Sequence, residues 1–280
     1  MIDEKFLREL DESVNRCIIE EKPKTLDYIG DDGLLYCGLC NTPREVVIPF
    51  PIPAKMPCMC KCMEDQYNAE QERKAADEKR KILREKKQRA FNGSKYQNAT
   101  FENDDGKCER LMKLCRNYAD RFSMDAPWLI LYGDVGVGKS YAAACIVNRL
   151  IERGRSARFV TLSQVERNLW DAENKSDVYR ELVSCDLLVL DDMGAERKTD
   201  YMDEILYNVI DERLRVDKPM IVTTNIVPNI LEENADMKMK RVMSRLSEKS
   251  APFLCEGQDR RKSAAKKNAK IVIEGLLSDE

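Results

Sequence analysis

The chain has 280 residues, in which 47 lysines and arginines face 50 aspartates and glutamates for a formal net charge of −3, so whole-chain charge excludes a bulk polycation and leaves any nucleic-acid surface to a local patch. Eleven cysteines, odd in number and unevenly spaced, stand with no histidine, which argues against a disulfide framework. No apolar run reaches the roughly 18 residues of a membrane span, and the charged, helical opening MIDEKFLREL is unlike a signal peptide, which predicts a cytoplasmic chain with no membrane partner.

Apolar positions at Ile2, Phe6, Leu7, Leu10, Val14, Cys17 and Ile18 follow a helical period that Pro23 stops. Cys37-Gly38-Leu39-Cys40 and Cys58-Met59-Cys60-Lys61-Cys62 then flank a proline-rich loop (Pro43, Pro49, Pro51, Pro53, Pro57). Two close cysteine pairs around such a loop have tetrathiolate zinc spacing, and with no histidine available all four ligands of a closed site must be cysteine. Only two of the last three can serve. Cys37, Cys40, Cys60 and Cys62 are the favoured set, with Cys58 as the substitute. A stiff loop without a core needs a metal to hold it together.

Residues 63–90 alternate charge densely, acidic early and basic late, with Glu70/Lys74, Asp77/Lys81 and Glu85/Arg89 at i,i+4. Too few apolar residues remain for a buried stripe, so a solvated connecting helix is expected, a nucleic-acid contact by its basic end, Arg80 to Arg89, being the alternative. Asn92-Gly93 breaks it, and residues 91–100 read as a linker. Cys108, Leu111, Leu114, Cys115, Tyr118 and Phe122 predict an amphipathic helix over 108–122.

Trp128 to Tyr132 reads as a buried parallel strand. Gly133-Asp134-Val135-Gly136-Val137-Gly138-Lys139-Ser140 matches the phosphate-loop pattern at every fixed position, and Tyr141 opens a helix. Glycines let backbone N–H groups crowd an anion, and the helix N-terminus adds its dipole. Lys139 should reach the β- and γ-phosphates of ATP, and Ser140 should ligate Mg²⁺.

Ala157 to Leu162 is a second strand, 163–183 a mixed helical segment, and Leu187 to Leu190 a fully apolar strand ending in Asp191-Asp192. Carboxylates at the C-terminal edge of a buried strand fit Mg²⁺ binding by Asp191 and activation of the attacking water by Asp192. An amphipathic helix over 200–216 leads to the strand Met220–Thr224 and to Asn225, placed either to position the lytic water or simply to turn the chain. Arg241 and Arg245 lie in a later helical run. Arg245 is the candidate for a charge supplied to a neighbouring copy's site; a solvated surface pair is the plainer alternative.

WLILYGDVGVGKS, LLVLDDMGAER, PMIVTTN and RVMSRL, in this order, resemble the DnaC/DnaI/IstB group of AAA+ ATPases, and the CGLC…CMCKC module and EGQDRRKSAAKK ending are similar to helicase loaders of low-GC Gram-positive bacteria and their phages. The resemblance implies an α/β AAA+ P-loop domain over 96–265, preceded by a zinc-binding, helicase-binding end over 1–62 and a connecting helix and linker over 63–95, and followed by a tail over 266–280. It implies a self-associating ATPase, working as a ring or spiral, that places the replicative hexameric helicase on single-stranded DNA. In that likeness Lys139 and Ser140 are Walker A, Asp191 and Asp192 Walker B, Asn225 sensor 1 and Arg245 the arginine finger. Sensor 2 falls to Arg260 or Arg261. An IstB-type transposition helper and a nucleotide-binding adaptor without turnover are the competing expectations.

Overall fold

A computed structural model describes residues 27–49, 53–194, 199–227, 237–257 and 259–260. The expected N-terminal helix, the 266–280 tail and Arg261 lie outside the described residues. The chain forms two compact units, Met1–Arg80 and Lys81–Glu280.

Short hairpins build the first unit. Strand β1 (Tyr28–Ile29) pairs antiparallel with β2 (Leu35–Tyr36), and β3 (Glu45–Ile48) with β4 (Ala54–Pro57). Their apolar side chains gain little shelter: Ile29, Val46, Val47 and Ile48 are all exposed. Polar ties replace packing. Asp27 pairs with Arg44 and accepts from Gly38 N at 3.2 Å, while Glu45 accepts from Leu35 N at 3.1 Å.

Helix α1 (Lys61–Phe91) crosses from the first unit's residues into the second's. Within it Glu70 meets Lys74 at 2.7 Å as expected, but Asp77 pairs with Arg80 at 3.7 Å. Only Ala90 and Phe91 are buried, so the solvated helix is the observed one.

In the second unit, β5 (Trp128–Tyr132), β6 (Ala157–Thr161), β7 (Leu187–Met193), β8 (Met220–Thr224) and β9 (Ser250–Leu254) make one parallel sheet in the order β6-β7-β8-β5-β9. Alternation along each strand feeds two cores. Leu129, Leu131, Leu187 and Val189 face α2 (Glu109–Asp120) and α3 (Lys139–Glu152). Trp128, Ile130, Leu188 and Leu190 face α4 (Leu162–Asp171), α5 (Lys175–Ser184), α6 (Asp200–Arg215) and α7 (Met237–Lys249).

Three details depart from the sequence reading. The segment over 163–183 is two helices, because Asn174 caps α5 by accepting from Ser176 N at 3.1 Å. The supposed linker is partly structural: Phe91 and Ala99 are buried, and Asn148 of α3 donates to the Ala99 carbonyl at 2.8 Å. Strand β9 has no pattern of its own to announce it; Pro252 is tolerated because β9 lies at the sheet edge. No helix among the described residues is long and apolar enough to cross a membrane.

Candidate nucleotide site and four-cysteine centre

The loop from Gly133 to Ser140 leaves the C-terminal end of β5 and becomes α3 at Gly138. Its glycines are required. Gly133 has φ 136°, and a Cβ there would stand 2.4 Å from the Cys255 carbonyl oxygen. Gly136 has φ 84°, and a Cβ there would meet the Asp259 carboxylate at 1.9 Å. Neither the torsion nor the space admits a side chain. Val137 anchors the loop by burying its side chain, whereas Val135 is exposed. The Tyr141 hydroxyl donates to the Thr100 carbonyl at 2.8 Å, which fixes the start of α3 against the preceding segment.

Lys139 uses its three ammonium protons within the site, donating to the carbonyls of Gly133 and Asp134, each at 2.7 Å, and to Asn225 Oδ1 at 2.8 Å. Asn225 in turn donates through Nδ2 to Asp192 Oδ1 at 3.1 Å. The tip of β8 therefore joins the phosphate loop to the end of β7. Asp191 is buried, and the Ser140 hydroxyl lies near enough to draw its carboxyl down, so the two expected Mg²⁺ ligands face the same point. Burial pushes the Asp191 carboxyl above the ordinary carboxylate range, against the pull of Thr223, Ser140 and Lys139. Burial likewise pulls the Lys139 ammonium below the usual lysine range. Each charge is held at a cost that a bound counter-charge would offset.

Sequence reasoning passed over Thr223. Its hydroxyl donates to Asp191 Oδ1 at 2.6 Å and accepts from Asp192 N at 2.8 Å, so one buried side chain positions both carboxylates. It can do so because β7 shifts register against β8 between Leu190 and Met193, where Asp192 takes φ 58°. A bulge of this kind re-aims a side chain at a strand end. The available signal was the pair of threonines closing MIVTT, two polar residues in an otherwise apolar strand.

Of the two arginines left open as sensor 2, Arg260 comes to the loop. Its backbone N donates to the Gly136 carbonyl at 3.0 Å, and its guanidinium pairs with Asp104 at 2.9 Å and Asp105 at 3.2 Å. Nε and Nη2 are buried and have no hydrogen-bond partner among the described residues. The guanidinium lines a cleft of about 190 Å³ together with Gly138, Lys139, Ser140, Asp192 and Asn225. Two unused donors aimed beside the phosphate loop are what an anionic ligand would satisfy.

Arg245 stands apart. It sits on α7, half exposed, 3.6 Å from both Asp211 and Glu248, and it does not line its own chain's cleft. Arg241 is exposed on the same helix.

In the first unit the sulfur atoms of Cys37, Cys40, Cys60 and Cys62 lie within 4.8 Å of one another. Separations of 3.6 Å (Cys37 to Cys62) and 3.3 Å (Cys60 to Cys62) fall just short of the ~3.8 Å that tetrahedral Zn–S bonds impose. Cys58 is turned away, 3.5 Å from the Pro43 carbonyl. The first knuckle closes through Asn41 N to Cys37 O at 2.8 Å and Cys37 N to Thr42 O at 2.9 Å. An all-sulfur, four-ligand set fits zinc.

A parallel sheet of this order, with a phosphate loop after β5 and paired carboxylates at the end of β7, one strand removed across β8, defines an α/β P-loop ATPase fold of the AAA+ type. The chain belongs to the family described as IstB-like ATP binding protein, whose model matches residues 59–255. It is 31% identical over 173 residues to the replicative helicase loader DnaC of Escherichia coli (strain K12), covering 58% of this chain and 69% of that protein. It is 26% identical over 284 residues to the replicative helicase loader DnaI of Bacillus subtilis (strain 168), covering 91% of this chain and 88% of that one. A crystal structure of the DnaC helicase loader aligns with TM-score 0.53 at 24% identity, over 59% of this chain and 100% of the other, a likeness of fold.

Proposed function

We propose that this chain is a bacterial or phage ATPase that loads a replicative hexameric helicase onto single-stranded DNA, in the cytoplasm, and hydrolyses ATP where two copies meet. The observation that carries this reading is the hydrogen-bonded run Lys139–Asn225–Asp192 at the sheet edge, with Arg245 outside its own cleft. The likeness to loaders named DnaC and DnaI supports the partner, and the match to DnaI spans 91% of this chain.

In this reading residues 133–141 hold the triphosphate, with Lys139 and Arg260 placed to balance its charge. Mg²⁺, when bound to Ser140 and Asp191, would supply Lewis-acid neutralisation of the β- and γ-oxygens. Asp192 accepts the proton of the attacking water, and Asn225, held between Asp192 and Lys139, orients that water. Arg245 from an adjacent copy completes charge stabilisation, so a lone subunit turns over slowly. Residues 1–62 are the helicase-binding end, with Cys37, Cys40, Cys60 and Cys62 holding zinc; 63–95 connects, 96–265 is the ATPase domain and 266–280 the tail.

The test is ATP turnover of the purified full chain, alone and with helicase and single-stranded DNA, beside copurification with helicase. Lys139→Ala should abolish turnover and leave metal content intact. Arg245→Ala should bind nucleotide yet fail to hydrolyse, and mixing it with Lys139→Ala should restore part of the rate, because one supplies the cleft and the other the arginine. Failure of the mixture to recover any rate would sink the shared-site reading. The family description keeps a transposition helper in view; capture of a transposase in place of helicase would select it.

A further inference from the structure

The opposite edge of the sheet carries a second feature, unrelated to the phosphate loop. A cavity of about 290 Å³ opens where β6 and β7 begin, between the end of α1 and the turns that precede the two strands. Lys86, Arg89, Arg155 and Arg158 line it against a single acid, Glu181. Glu181 is taken by Arg158, whose guanidinium also donates to the Arg89 carbonyl. Lys86, Arg89 and Arg155 have no acidic partner among the described residues, and all three are exposed. Burial is the main cause that pulls the Arg158 guanidinium down, with the nearby Arg89 charge adding to it.

The lining also limits what fits. Among the described residues no aromatic side chain lines it to stack a base, and the apolar members, Ala90, Ile151, Ala157 and Cys185, are already buried. A protein partner would find no apolar anchor here. Guanidinium forks converging on an open, unstacked cavity match phosphodiester oxygens.

We propose that this cleft binds the phosphate backbone of a nucleic-acid strand, without reading sequence, as a contact separate from the nucleotide site. The inference rests on the loader reading for the presence of single-stranded DNA and adds where the strand is gripped.

The experiment follows binding of a labelled oligo-dT to the full chain with Mg²⁺ and a non-hydrolysable ATP analogue, over a salt series. Arg89→Gln/Arg155→Gln should weaken binding about tenfold or more, and should flatten the log–log salt slope by roughly 1.4, at ~0.7 per single-strand phosphate contact. DNA-free ATP turnover and the thermal midpoint should stay at wild-type values, and Arg89→Lys/Arg155→Lys should retain most of the affinity. Unchanged affinity and slope in the Gln variant, with wild type binding normally, overturns this cleft alone. Wild type that ignores oligo-dT in every nucleotide state overturns the DNA part of the loader reading and the cleft with it. Loss of labelled poly-glutamate binding in the variant, with oligo-dT binding intact, would assign the cleft to an acidic protein segment and overturn the proposal.

Discussion

The two units solve the problem of holding a chain together by opposite means. In the first, the only buried residues among those described are Cys37 and Cys60, while the apolar side chains of its strands face solvent. In the second, two clusters of aliphatic and aromatic side chains sandwich a five-stranded sheet. A hairpin pair with nothing apolar to bury cannot offset the entropy of ordering its backbone. The cysteine centre must supply what the second unit obtains from its core, so each unit should fail under a different insult.

Metal removal should separate them most sharply. With Cys37, Cys40, Cys60 and Cys62 as a zinc site, the bound ion is worth roughly 10–16 kcal/mol to a small domain. Chelation, or Cys60→Ser, should erase hydrogen-exchange protection over residues 28–57 while the thermal transition of the second unit stays put. Cys58→Ser should keep one zinc per chain by elemental analysis, because its sulfur turns toward Pro43. Retained protection after complete zinc loss would show that the first unit has a source of stability other than its cysteines.

The same contrast explains what could be read in advance. Fixed spacing made the phosphate loop, Asp191-Asp192 and the cysteine set legible, since each chemistry tolerates little variation in residue type or interval. Asn225 was legible only as one of two readings, because an amide at a strand end also turns chains. Thr223, Arg260 and β9 depend on tertiary placement. Thr223 is a polar residue in a strand until a bulge in β7 brings both carboxylates to it. Arg260 was one of two adjacent arginines until its backbone met Gly136. Buried polar residues of this kind carry no periodic signal.

Thr223 offers the next test, now inside the second unit. Thr223→Val keeps the shape but removes the hydroxyl, leaving buried Asp191 short of a donor and Asp192 N without its acceptor. An unsatisfied buried group costs about 1–3 kcal/mol. Urea unfolding of the second unit should report that loss, together with slower turnover from misplaced carboxylates, and Thr223→Ser should recover both. Equal stability of the Val and Ser variants would show that the hydroxyl contributes nothing to the fold. The metal content of the first unit should not change.

The smallest effect concerns the cost of the site to its own core. Burial raises the Asp191 carboxyl above its unfolded value. As pH climbs through the interval between the two values, the unfolded chain releases this proton first and the folded chain keeps it, so Asp191 lowers stability progressively and the loss is complete above the folded pKa. Lys139 is depressed by burial. Its contribution runs the other way and falls in the alkaline range, since a buried ammonium is relieved only as pH rises through its folded pKa, so the two windows do not overlap. Asp191→Asn keeps an acceptor for Thr223 and removes the ionisable group. The nucleotide-free variant should therefore melt a few degrees higher than wild type at neutral pH, with the difference shrinking toward zero as pH falls below the ordinary carboxylate range. With Mg²⁺ and ATP the order should reverse, because wild type gains the ligand's stabilisation and the variant does not. A difference in melting temperature that is flat with pH would mean that the carboxyl is better solvated than its burial implies, and that the second unit pays nothing for carrying this charge in its core.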